Sequence, residues 1–95
     1  MKRIPSSVQI MAHTITIRVV NKSEWKYEGE WGWWDPSKLE ILLCRQPRTQ
    51  LRHSLWHEVV HAALDLMGEY KLSRDEGFVD RFGGLLAQIM DTAEI

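Results

Sequence analysis

The segment Thr49–Met67 reads TQLRHSLWHEVVHAALDLM, and its apolar residues recur at the spacing of an amphipathic helix. Projected at about 100° per residue, the segment has two faces, one apolar and one carrying histidines. Thr49 is a candidate N-cap, and Gly68 is a candidate end of the helix. The apolar stripe comprises Leu51, Leu55, Val59, Ala62 and Leu66, and the opposite face comprises His53, His57, Val60, His61 and Leu64.

The histidine face contains the sequence HEVVH at residues 57–61. Helical spacing places the two imidazoles one turn apart on the same side, where both can reach one metal ion. Zinc binds imidazole nitrogen readily, and catalytic zinc sites use three protein ligands plus a water. Glu58 flanks the pair, where it can take a proton from the zinc-bound water. We therefore predict that His57 and His61 bind one zinc ion and that Glu58 is the general base; the alternative is a chance pair of helix histidines.

The third ligand is predicted to be Glu76, at the start of a last helix that extends to about Asp91. An antiparallel helix pair joined by the loop Gly68–Leu72 would bring Glu76 to the two histidines. Asp80 lies one turn further on and is predicted to hydrogen-bond a ligand histidine and so fix its tautomer. Ser73-Arg74-Asp75-Glu76 also matches a capping box, which would use the same Glu76 carboxylate. Asp75 and Asp80 are the alternative ligands.

Three further expectations concern residues around this motif. His53 is predicted to be a surface or outer-shell residue; the alternative, a fourth metal contact, would make the site structural. Tyr70 is a possible donor to a transition-state oxyanion. The last helix is predicted to turn a bulky apolar stripe towards the core, formed by Phe78, Phe82, Leu85 and Ile89.

The residues before the long helix are predicted to form strands. Ile15–Val20 alternates with a period of two, as a half-buried strand does. Trp25–Trp34 and Lys38–Cys44 flank a turn at 35–37 and are predicted to pair as an antiparallel hairpin. The tryptophans of the first segment would line a substrate groove or cover the core. Residues 1–13 are predicted to be irregular. The order of strands followed by helices indicates one α+β domain over residues 1–95, with a small antiparallel sheet.

Composition excludes several classes of function. The chain has 12 Lys plus Arg against 13 Asp plus Glu, so it lacks the excess positive charge of a nucleic-acid-binding domain. Its single cysteine, Cys44, permits no internal disulfide, which fits a reducing compartment. We find no signal peptide and no segment of transmembrane length, so a cytoplasmic protein without membrane contact is expected. The oligomeric state, monomer or dimer, stays open.

HEVVH followed by Glu76-x-x-x-Asp80 resembles the gluzincin pattern of zinc metallopeptidases. The size and layout resemble the minigluzincins, which are minimal single-domain zinc peptidases. LRHSLWHEVVHAALDLMG also resembles small phage-encoded and ImmA/IrrE-type metallopeptidases, although Val79 and Asp80 depart from the Ala-Asn of that type. The resemblance covers residues 15–90.

The resemblance implies a zincin-like minimal domain in which His57, His61 and Glu76 bind zinc and Glu58 is the general base. It implies hydrolysis of peptide bonds in a narrow intracellular protein target. The strand Lys38–Cys44 would be the edge strand that pairs with an extended substrate, through its residues Leu39, Ile41 and Leu43. Two other functions stay open: a non-catalytic zinc-binding interaction module, and a phage or mobile-element accessory protein that acts by contact.

Overall fold

The computed structural model describes residues 3–93 and confirms the α+β class. Four strands precede three helices, as the order of patterns in the sequence predicts. The strands are β1 (Ser7–Ile10), β2 (His13–Val20), β3 (Gly32–Asp35) and β4 (Glu40–Cys44), with a short 3-10 helix at Lys22–Glu24 between β2 and β3. The helices are α1 (Arg48–Leu66), α2 (Tyr70–Ser73) and α3 (Glu76–Thr92).

The four strands form one mixed sheet in the order β1-β2-β4-β3. The predicted hairpin is confirmed, because β3 and β4 pair antiparallel with Trp34 opposite Ile41, but its first strand begins at Gly32 and residues 25–31 of the predicted segment are not strand. Its turn is closed by Asp35, whose Oδ1 accepts hydrogen bonds from the backbone N–H and the hydroxyl of Ser37. The sequence predicts a purely antiparallel sheet, and this is wrong because β2 and β4 pair in parallel.

The prediction that residues 1–13 are irregular is wrong for β1. Val8 and Ile10 pack against the core, and β1 pairs antiparallel with the first half of β2. The strand is only four residues long, and the polar residues around it hide its alternation. Met1 and Lys2, to which the same prediction applied, lie outside the described residues.

The prediction that Lys38–Cys44 is an edge strand is also wrong. β4 lies in the interior of the sheet between β2 and β3, and Ile41 and Leu43 are fully buried. Leu39 precedes the strand in the turn, with a positive φ of 49°. The apolar run of this segment fits a strand with neighbours on both sides, since such strands lose the polar alternation of exposed ones. The edge strand on this side of the sheet is β3.

The core lies between the sheet and α1, on the apolar face that the sequence predicts. Leu51, Leu55 and Ala62 are buried there, with Val59 and Leu66 packed against them. The predicted N-cap Thr49 is wrong, because the helix begins at Arg48 and Pro47 occupies the N-cap position. Gly68 adopts a φ of +82° after the helix ends, a conformation that glycine adopts at little cost. No helix within residues 3–93 has the length and hydrophobicity needed to cross a membrane.

The predicted apolar stripe of α3 is confirmed only for Phe78, which packs against the buried cluster of Val60, Leu64 and Val79, and it is wrong for the other three residues. Phe82, Leu85 and Ile89 are 42%, 55% and 52% exposed, whereas the buried residues of this helix are Val79, Gly83 and Ala87. Small residues face α1 because the two helices approach closely. A Cβ added to Gly83 would lie 2.9 Å from the Cα of His57. This contact sets α3 against the histidine face of α1 and thereby positions the candidate site.

Candidate metal centre

Two helices bring three potential metal ligands together. The Nε2 atom of His61 lies 2.9 Å from Oε1 of Glu76, and the Nε2 atom of His57 lies 3.5 Å from Oε2 of the same carboxylate. All three donor atoms lie within 4.8 Å of one another. The histidines come from successive turns of α1, and Glu76 is the first residue of α3. The three side chains that the sequence singled out as ligands could therefore hold one metal ion.

The competition between capping and ligation at Glu76 is resolved by its neighbour. Asp75 is the N-cap of α3, because its Oδ1 accepts a hydrogen bond from the backbone N–H of Phe78 at 3.1 Å. The predicted capping box with Ser73 as N-cap is therefore wrong, since Ser73 ends the short helix α2. The carboxylate of Glu76 is left to point at the imidazoles, and Asp75, the alternative ligand, is used for capping.

Asp80 lies where the sequence places it, behind the ring of His57. Its Oδ1 is 3.4 Å from Nδ1 of His57 and 3.4 Å from Nε2 of His53. The hydrogen bond with His53 is the main reason that the pKa of Asp80 is lowered, so this carboxylate is ionised at neutral pH and accepts N–H donors. A proton held on Nδ1 of His57 leaves Nε2 unprotonated towards Glu76, which is the form that binds a metal. His53 contacts Asp80 and is not one of the three grouped donors.

Ser73 supports the second histidine, a role that the sequence did not indicate. Its hydroxyl lies 3.2 Å from Nδ1 of His61 and donates to the carbonyl of His61 at 3.4 Å. A hydroxyl that donates to the carbonyl can accept from Nδ1–H, which again leaves Nε2 free for a metal. Ser73 was interpreted as a helix cap. The sequence offered one signal for this role. Ser73 and Asp75 are both favourable N-cap residues, but only one of them can cap α3, so the other is left to bond elsewhere.

Glu58 is buried beside the three donors, with 7% of its surface exposed. The backbone of β3 covers it so closely that a Cβ on Gly32 would lie 2.8 Å from Cγ of Glu58. Burial, together with the nearby charges of Glu76 and Glu30, raises the pKa of Glu58 to about 8. A cation held by the three donors would act in the opposite direction, because positive charge favours the carboxylate. Glu30, which also faces the site, was not identified from the sequence.

An open cleft passes over these residues. Its central part, of about 200 Å³, is lined by residues 32–34 of β3, by His57, Glu58 and His61 of α1, and by Glu30 and Glu76. It continues towards Trp31 at one end and into a cavity of about 680 Å³ near α2 at the other. Trp34 belongs to the core, as one interpretation of the tryptophans has it, and also lines the cleft; that a substrate binds there stays a prediction.

Tyr70, the possible oxyanion donor, is the first residue of α2 and is 60% exposed. It lines the same 680 Å³ cavity as His61 and Glu76. Its role as an oxyanion donor stays a prediction.

No protein-family model, curated protein or solved structure matches the chain. The three donors, the buried Glu58 and the cleft that runs past them are the features from which a function can be argued.

Proposed function

We propose that this chain is a zinc-dependent metallopeptidase that hydrolyses peptide bonds of a narrow intracellular protein target. The observation that carries the proposal is the convergence of His57, His61 and Glu76 beside the buried carboxyl of Glu58, at the base of an open cleft. A purely structural metal site has no need of a second acidic group that is buried next to the ligands without being one of them.

The donor set favours zinc over magnesium and calcium. Two imidazole nitrogens and one carboxylate form a ligand set found in catalytic zinc sites, in which a fourth position stays open. Magnesium and calcium prefer oxygen ligands only. Ligands at about 2.0–2.1 Å from a tetrahedral zinc ion are about 3.3 Å from one another. Each imidazole lies near this distance from a different oxygen of Glu76, with Nε2 of His61 at 2.9 Å from Oε1 and Nε2 of His57 at 3.5 Å from Oε2.

Zinc at this position would activate a water molecule and polarise the carbonyl group of the peptide bond. Glu58 takes a proton from the attacking water as the new C–O bond forms, and then delivers that proton to the nitrogen as the C–N bond breaks. Burial raises the pKa of Glu58 and the zinc charge would lower it again, and a carboxyl group whose pKa is brought near neutrality in this way can serve in both directions. Asp80 and Ser73 hold the two imidazoles in the tautomer that presents Nε2 to the cleft.

The open side of β3 is the surface that fits an extended substrate. Within the described part of the chain β3 pairs only with β4, and its residues 32–34 line the cleft beside Glu58. A peptide can add to this edge by backbone hydrogen bonds. Gly32 brings the strand close to Glu58 because it has no side chain. We therefore propose that the extended substrate pairs with β3 rather than with Lys38–Cys44.

The test compares wild-type protein with Glu58→Gln and with the control Glu24→Gln, a change in the exposed 3-10 helix. Zinc content is measured by elemental analysis, and cleavage of a mixed peptide library is followed by mass spectrometry. We expect all three proteins to hold about one zinc ion. Glu58→Gln should lose about 10²–10⁴-fold in kcat, the usual contribution of general acid–base catalysis. The proposal is wrong if Glu58→Gln cleaves as fast as the control.

A further inference from the structure

The cavity at the α2 end of the cleft is suited to recognise a substrate side chain. It has a volume of about 680 Å³ and shares His61 and Glu76 with the candidate metal centre. A residue close to the reacting bond would therefore reach it. Its apolar walls are formed by Trp34, Pro36, Leu66 and Tyr70.

The charged groups around this cavity differ in how they are used. Oδ2 of Asp65 accepts a hydrogen bond from the indole N–H of Trp34 at 2.9 Å. Glu76 faces the two imidazoles. Arg74, which caps the C-terminal end of α2, is exposed, and its guanidinium makes no ion pair with any residue between 3 and 93. The guanidinium is thus the charge of this cavity that is available to a ligand.

We propose that Arg74 makes this cavity a subsite for an acidic side chain, Asp or Glu, of the substrate. The inference rests on the proposed peptidase function and adds its substrate class. A guanidinium binds a carboxylate through two parallel hydrogen bonds, and the apolar walls accommodate the methylene groups of the same side chain.

The direction of β3 assigns the acidic residue to one side of the reacting bond. β3 begins at Gly32, next to Glu58, and continues through Trp34 and Asp35 to Pro36, which lines this cavity. Antiparallel pairing is the more stable arrangement per residue. A peptide antiparallel to β3 places the residues before the scissile bond towards Pro36, so the acidic residue lies on the N-terminal side of that bond.

The size of the preference follows from the exposure of Arg74. Ion pairs between solvated groups are weak, so we expect peptides with Glu at this position to exceed those with Gln by about two- to fivefold in kcat/KM. Asp65 lies in the same cavity. If its carboxylate controlled the subsite instead, Lys would be preferred over Gln, and the proposal would be overturned.

The experiment uses zinc-loaded protein and a library of N-acetylated, C-amidated peptides that carry Glu, Gln or Lys at successive positions. Arg74→Gln should remove the preference for Glu, and Arg74→Glu should reverse it in favour of Lys. Arg81→Gln is the matched control, because Arg81 is an exposed arginine of α3 that does not line this cavity. An acidic preference on the C-terminal side of the bond, or one that survives Arg74→Gln, would overturn the proposal.

A second measurement separates this proposal from the peptidase function itself. The zinc-loaded Glu58→Gln protein is mixed with the same library, and retained peptides are identified by mass spectrometry. Retention that favours Glu and is lost on adding Arg74→Gln supports the subsite even if the wild type cleaves nothing; only the peptidase function then fails. Cleavage without discrimination between Glu and Gln leaves the peptidase standing and refutes the subsite. Retention that is indifferent to Arg74 also refutes it.

Discussion

Replacement of Gly83 by alanine tests the close contact between α1 and α3 that positions Glu76. The new Cβ would lie 2.9 Å from Cα and 3.0 Å from N of His57. Ordinary contacts between carbon atoms are about 3.5–4.0 Å, so the helices would have to separate by roughly 0.6–1 Å. Both atoms belong to the backbone of α1, and no side-chain rotation relieves the clash. Forced insertion of this kind costs about 1–3 kcal/mol.

The neighbouring Gly84 provides the matched control. A Cβ there would lie 3.1 Å from Cε1 of His53, which is the end of a half-exposed side chain that can turn away. Both changes replace a glycine inside the same helix and gain about 0.8–1 kcal/mol in helix propensity. That gain cancels when the two variants are compared, so their difference isolates the packing cost at Gly83.

We therefore expect Gly84→Ala to be about 1–3 kcal/mol more stable than Gly83→Ala. For a domain of this size, 1 kcal/mol corresponds to a change of about 4–8 °C in Tm, which thermal unfolding followed by circular dichroism resolves. Gly83→Ala should also bind zinc more weakly, because separation of the helices moves Glu76 away from the imidazoles. Equal Tm values for the two variants would refute the account of how α3 is held against α1.

Three further predictions concern the groups around the site. Ser73→Ala removes the hydroxyl partner of His61 Nδ1 and should weaken zinc binding by about 10–100-fold in a competition titration with a chelator; an unchanged affinity would deny this hydroxyl its role. Asp75→Ala removes the N-cap of α3 and should lower the free energy of unfolding by about 0.5–2 kcal/mol in urea titrations. A loss of this size in Ser73→Ala and none in Asp75→Ala would instead identify Ser73 as the cap. The third prediction concerns the metal-free protein, in which folding raises the pKa of Glu58 from 4.5 to about 8. The folded protein therefore binds a proton that the unfolded chain releases between these two values. The stability that this proton contributes is complete below pH 4.5 and is lost as the pH rises towards 8. Tm of chelator-treated protein should fall across that window, and Glu58→Gln should flatten the fall; a parallel fall in both proteins would assign it to other groups.

The parts of the site that depend on local spacing could be predicted from the sequence. His57 and His61 are one helical turn apart, and that spacing alone fixes their common side. Glu76 was identified as a ligand because it begins the next helix, and α3 does fold back against α1. The cap assignment failed because α2 ends at Ser73, so α3 begins two residues later than the capping box implies.

The errors came from contacts between residues that are distant in the sequence. Bulky residues of α3 were assigned to the core, but the narrow gap next to His57 admits only a small residue such as Gly83. The resemblance implied that Lys38–Cys44 is an edge strand, and its parallel pairing with β2, which contradicts this, was not evident in the sequence. Parallel pairing leaves no turn signal, since the two strands are joined by a long segment rather than a tight loop.

The most direct test of the central claim is a calorimetric titration of the metal-free protein with zinc, combined with X-ray absorption at the zinc edge. We predict one zinc ion per chain, with two nitrogen ligands and oxygen ligands at about 2.0–2.2 Å. Glu76→Gln should weaken zinc binding by about tenfold or more, because loss of a hydrogen-bond partner of a ligand already has an effect of that size. The neighbouring change Asp75→Asn should leave the zinc affinity unchanged. Failure of the wild-type protein to bind zinc at near-stoichiometric level, or equal weakening by both changes, would contradict the assignment of the metal centre.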